Sequence, residues 1–120
     1  MAQLTPEEIA RAFSGHDFAA AIEYLADDVV WDLVGDDPIV GRAAVEEACR
    51  ASGEYLATAT TVFDEFRSIV GASTVVIDSR ATYTDADGDR SVVASCDLYD
   101  FSAGRITAIR SYNLELEGAP

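Results

Sequence analysis

The second half of the chain sets the strongest limit on what it can fold into. Residues 58–70, 74–84, 90–101 and 105–115 are four runs rich in Val, Ile, Thr, Tyr and Phe, the composition of strands that pack through a pleated surface. Short turn signals separate them: Gly71-Ala72-Ser73, the segment Asp85 to Asp89 containing Asp87-Gly88, and Ser102-Ala103-Gly104. Connections this short join antiparallel neighbours, because a parallel crossover needs a dozen or more residues.

The first half carries a different rhythm. Thr5-Pro6-Glu7-Glu8 reads as a helix start, with Thr5 as cap, Pro6 at the first helical position and Glu8 closing a capping box. Ile9, Ala12 and Phe13 form an apolar stripe, and Gly15 ends the helix. Asp17 is placed to cap a second helix that turns Phe18, Ala21, Ile22 and Leu25 inward. Residues 29–34 read as a strand, 35–41 as a Gly/Asp/Pro loop, and 42–55 as a third helix with Ala44, Val45, Ala48 and Cys49 on its apolar side. Gly118-Ala119-Pro120 reads as a frayed end. The order α, α, β, α, β, β, β, β predicts an α+β fold. Three helices from the N-terminal half pack on a curved antiparallel or mixed sheet, and the curl leaves an internal cavity. At 120 residues, one domain spanning 1–120 is expected.

Charge narrows the function. The chain has 22 acidic residues and a net charge of −14, and its eight basic residues are all Arg. Nucleic acid and anionic membrane surfaces both require cationic patches, so neither is an expected partner. No apolar run reaches the length of a membrane helix, and residues 1–8 lack the basic start of a secretory signal. Cys49 and Cys96 read as free thiols rather than a disulfide framework, and a cytoplasmic location follows. With one His and no CxxC or HExxH, no metal or other cofactor is implied.

Alternation along residues 90–101 sorts two faces. One holds Val92, Ala94, Cys96 and Leu98 and is apolar throughout; covering it with a second copy of the chain predicts a homodimer through the outer sheet face. The other holds Val93, Ser95, Asp97, Tyr99 and Phe101, an apolar face with one acid in its middle.

Several segments together resemble the nuclear-transport-factor-2-like superfamily, in its SnoaL-like and ketosteroid-isomerase-like branch. They are Phe18 to Trp31, Gly41-Arg42-Ala43-Ala44-Val45, Cys96 to Phe101, and Gly104 to Tyr112. The resemblance implies a cone-shaped cavity between curved sheet and helices. It also matches Asp32 to a general base on the first strand and Asp97 to a protonated Asp on a later one. Two departures stand out. The spacing before Asp32 is one residue short, so an ungapped match puts Leu33 at the base position and turns Asp32 to the other face. No tyrosine on the first helix matches the second oxyanion donor of the isomerases. Epoxide hydrolases of the superfamily fit worse, because Arg110 is followed by Ser111 instead of Asp. Cyclases of the SnoaL type pair a cavity Asp with a His; the single histidine, His16, lies between the first two helices and reads as a surface or capping residue.

The chemistry expected is cofactor-independent. A carboxylic acid kept neutral in an apolar pocket donates a hydrogen bond to a developing enolate, as in the well-known ketosteroid isomerase case, while a more solvated Asp moves the proton. Asp97 is the expected acid and Asp32 the expected base, acting on an apolar carbonyl compound of steroid or polyketide type by isomerisation or cyclisation. Val93, Tyr99 and Phe101 are the expected lining, with Ile109, Ser111 and Asn113 from the last strand and Trp31 from the first. The alternative is a non-catalytic domain of the same fold that binds an apolar small molecule or mediates dimerisation.

Overall fold

A computed structural model describes residues 3–116. The helices are α1 (Pro6–Ser14), α2 (Phe18–Ala21) and α3 (Arg42–Leu56), with a 3-10 turn at Ile22–Tyr24. The strands are β1 (Leu25–Leu33), β2 (Ile39–Val40), β3 (Thr60–Val70), β4 (Thr74–Thr84), β5 (Arg90–Ser102) and β6 (Arg105–Leu116). They form one open, mixed sheet in the order β2-β1-β6-β5-β4-β3, in which only β1 and β6 run parallel. The α+β architecture with three helices on one curved sheet is therefore as expected. The frayed end at 118–120 lies outside the described residues.

Local rules explain most boundaries. Thr5 caps α1: its hydroxyl accepts from the Glu8 amide at 3.1 Å, while Glu8 accepts from the Thr5 amide at 2.9 Å. The end of α1 differs from expectation. The left-handed residue is His16 at φ 71°, not Gly15 at φ −82°. The Asp17 amide reaches back to the Ala12 carbonyl (2.8 Å) and the His16 amide to Phe13 (3.1 Å). This is a Schellman termination with His where Gly is usual. Gly15 is needed for another reason: a Cβ there would lie 2.9 Å from the Arg11 carbonyl oxygen. The second helix is shorter than expected, because Leu25 already belongs to β1. The expected loop contains the two-residue strand β2, and Gly41, at φ 94°, turns the chain from it into α3. Arg42 then ties back to the Leu25 carbonyl at 3.2 Å.

Both expected hairpins form. In the β5–β6 turn Ala103 and Gly104 both have positive φ (52° and 77°), a type I′ turn in which Ala is strained and Asn is not. Ala103→Asn is expected to raise stability by up to about 1 kcal/mol in urea unfolding, with an unchanged m-value.

The core sits between α1, α3 and the inner sheet face. Ile9, Leu25, Val29, Val45, Ile77, Tyr99, Ile106 and Ile109 are essentially inaccessible. Phe13 is the aromatic hub, edge-on to Phe18, Trp31 and Tyr99 at centroid distances of 5.2, 5.1 and 5.8 Å.

Candidate functional site

One cavity of about 640 Å³ opens between α1, the C-terminal half of α3 and the inner faces of β3 to β6. Its apolar wall includes Phe13, Phe18, Trp31, Leu33, Phe63 and Val93. Its polar groups include Asp97, His16, Tyr83, Ser14, Ser79, Ser95, Ser111 and Asn113.

Asp97 stands at the centre of a directed hydrogen-bond array. On one side Ser14 Oγ donates to Asp97 Oδ2 at 2.7 Å and lies 2.6 Å from Tyr99 Oη. Ser14 has one hydroxyl proton, which goes to the carboxylate, so the phenol must donate to Ser14. Tyr99 is fully buried, and burial with the nearby Asp97 charge holds its phenol neutral, far above the usual range. On the other side Trp31 Nε1 donates to Ser111 Oγ at 3.0 Å, and Ser111 in turn supports the carboxylate. Two serines, each backed by an aromatic donor, thus converge on one acid. Desolvation nevertheless dominates. The Asp97 pKa is raised, with the Ser111 and Ser14 hydrogen bonds and the His16 charge opposing the rise.

His16 faces the same cavity, which corrects its reading as a surface residue. Its ring packs on Phe18, Phe63 and Tyr83, and Nε2 lies 3.0 Å from Tyr83 Oη. Burial lowers its pKa, and attraction to Asp97 only partly offsets this. The neutral pair has two acidic protons, the imidazole N–H and the phenol O–H. One is used between the partners, and the other is free for a ligand. The left-handed backbone of His16 is the kind of strained feature that concentrates at functional sites.

The remaining expected residues divide. Trp31, Val93, Ser111 and Asn113 line the cavity with Asp97. Asp32 does not. It pairs with Arg110 in the register and lies 3.5 Å from its Nε on the opposite sheet face, 40% exposed, while Leu33 beside Ser111 turns inward. A strand alternates sides, so the one-residue difference in spacing reverses the side chain. Tyr99 and Ile109 are core residues beneath the floor, and Tyr99 reaches the site only through Ser14. Phe101 follows a register shift after Asp100 and lines a separate groove with Pro6 and Val75. Ser14, Ser79 and Tyr83 were missed, although the pattern held a signal. Ser14 follows buried Ala10 by one helical turn, and Ser79 and Tyr83 share the strand face of buried Val75, Ile77 and Ala81.

The SnoaL-like domain model matches residues 7–109. The chain belongs to the SnoaL-like domain family. An NTF2-like protein of unknown function from Cytophaga hutchinsonii is 30% identical, with 88% of this chain and 93% of that one covered and a TM-score of 0.78. A candidate polyketide cyclase from Pseudomonas putida shares 16% identity over 92% of both chains, at TM-score 0.71. Another from Xanthomonas campestris shares 21% over 87% of this chain and 83% of its own, at 0.70. These two likenesses establish the fold alone. No curated protein sequence gives a significant match. Among the described residues no helix of this SnoaL-like chain is long and apolar enough to cross a membrane.

Proposed function

We propose that the protein is a cofactor-independent isomerase or cyclase, a single domain over residues 1–120, that acts on an apolar carbonyl compound through an enolate. The observation that carries this reading is a desolvated carboxyl, Asp97, that shares one cavity with His16 and Tyr83. Asp97 takes the proton from the carbon next to the carbonyl. The C–H electron pair becomes the enolate double bond, and the carbonyl π pair moves to oxygen. The free proton of the His16–Tyr83 pair hydrogen-bonds that oxygen as charge develops. Isomerisation ends when Asp97 returns the proton at a different carbon. Cyclisation ends when the enolate carbon attacks a second carbonyl of the same molecule and the resulting alkoxide is protonated. Asp97 thus takes the base role expected of Asp32, and the His16–Tyr83 pair takes the donor role expected of Asp97. Polyketide cyclase names among structural neighbours add support from the fold.

The test is proton exchange. Incubated with 2-tetralone in heavy water, the protein should accelerate α-proton loss, followed by NMR, and the acceleration should depend on Asp97. Exchange at the buffer rate would favour the non-catalytic binding reading. One observation supports that alternative: Leu33, a hydrocarbon, faces the cavity where isomerases of the superfamily place a base.

We also propose that the working form is a homodimer through the outer sheet face. Tyr112 and Leu114 are 46% and 64% exposed there, beside Cys96 and Ala94. Flanking pairs Arg110–Asp32 and Arg67–Asp78 carry both signs, so a two-fold axis can match each charge with its opposite. At net charge −14 two copies repel, so salt should strengthen the dimer. Leu114→Glu is expected to give monomers in sedimentation velocity; an unchanged dimer would place the interface elsewhere. Free Cys49 and Cys96 fit the reducing cytoplasm as the proposed location.

A further inference from the structure

The cavity wall holds a second polar group that the proton-transfer scheme does not use. Ser79, Ser95 and Asn113 stand side by side on three strands, with Ser79 paired to Ser95 and Ser95 to Asn113. All three line the cavity. The neighbouring row on the same face is Ile77, Asp97 and Ser111. Ser95 Oγ donates to Asn113 Oδ1 at 2.8 Å. That bond uses the amide oxygen and leaves both amide protons of Asn113 free. Ser79 is only 6% exposed and stands on the cavity wall.

We infer that Ser79, Ser95 and Asn113 form a subsite for a second oxygen function of the substrate, a hydroxyl or carbonyl remote from the reacting carbonyl. Two residues along a strand span about 6.7 Å, which sets the distance between this subsite and the Asp97 row. Phe63 and Val93 supply apolar wall close by. The substrate class is therefore a flat apolar skeleton with a second oxygen remote from the reacting carbonyl, not a hydrocarbon with one carbonyl. This inference rests on the cavity being the ligand site, and it is independent of whether Asp97 turns a substrate over.

Two probes separate these questions. 2-Naphthol resembles the enol of 2-tetralone, and 2,7-dihydroxynaphthalene adds a second oxygen at the far end of the ring system. Trp31, the single tryptophan, lines the cavity, so its fluorescence reports occupancy. The wild-type protein should bind the diol about tenfold tighter, the worth of one good hydrogen bond. Ser79→Ala/Asn113→Leu should bind both probes equally, with 2-naphthol affinity unchanged. Asn113→Leu alone, at an exposed position, should lose part of the preference and covers the case in which the double variant does not fold. Equal wild-type affinities, or a preference that survives in the folded double variant, would overturn the subsite while leaving the cavity reading intact. Failure of the wild type to bind 2-naphthol would remove the cavity reading and the subsite together.

Discussion

Asp97→Asn is expected to slow α-proton exchange of 2-tetralone by roughly 10²–10⁴-fold, the usual worth of a positioned general base. Asn preserves the shape of the side chain but has no basic carboxylate, so the folded protein should keep its affinity for 2-naphthol. The same substitution should change stability in a way that depends on pH. The folded-state pKa of Asp97 lies above its ordinary value of 3.8 because burial penalises the anion. A raised acid binds its proton more tightly in the folded state. Its contribution to stability is full below the unfolded value and is lost as pH rises through the folded one. Above that window the wild type carries a desolvated charge and the Asn variant does not. Asp97→Asn should therefore be the more stable protein at neutral pH, with the advantage vanishing toward pH 3.8. Parallel thermal unfolding of the two proteins from acid to neutral pH checks this. A variant that is inactive and also less stable at neutral pH would show that Asp97 has a structural role instead.

Ser14→Ala should produce the second large effect, on stability and on the pH profile together. The substitution removes the hydroxyl between Tyr99 and Asp97. Tyr99 Oη is then a buried donor without an acceptor, a loss of about 1–3 kcal/mol. Asp97 loses one of the groups that lower its pKa, so the acidic limb of the exchange-rate profile should move to higher pH. Tyr99→Phe provides the separating control. It removes the phenol proton but leaves Ser14 able to donate, so it should shift the limb less than Ser14→Ala. A Ser14→Ala protein with lower stability and an unmoved limb would leave Ser14 as packing only.

Legibility in the sequence followed the physics of each element. β4 was read to its exact ends because long alternating runs between strong turn signals leave little choice. Asp97 could be identified because an acid interrupting an apolar strand face has few explanations. Asp32 was ambiguous for the opposite reason: adjacent strand residues face opposite ways, and a single residue of spacing decides between Asp32 and Leu33. Phe101 was misplaced by a register shift at Asp100 that no local residue signals. His16 was out of reach, since it sits in a turn with no period. Its direction depends on a left-handed backbone and on Phe63 and Tyr83, which arrive from strands far along the chain.

The bonds that build the site join residues separated by 83, 85 and 80 positions: Ser14 to Asp97, Ser14 to Tyr99 and Trp31 to Ser111. During synthesis, the opening helix must wait for almost everything else to emerge before its serine finds a carboxylate. No N-terminal fragment ending before residue 97 can hold even a weakened version of the centre. Refolding should accordingly restore turnover in the same kinetic phase that seats the last two strands, never ahead of it. Natural insertions and artificial chain breaks then face an asymmetric test. Either flank of the polypeptide can destroy the chemistry, because neither flank holds it alone.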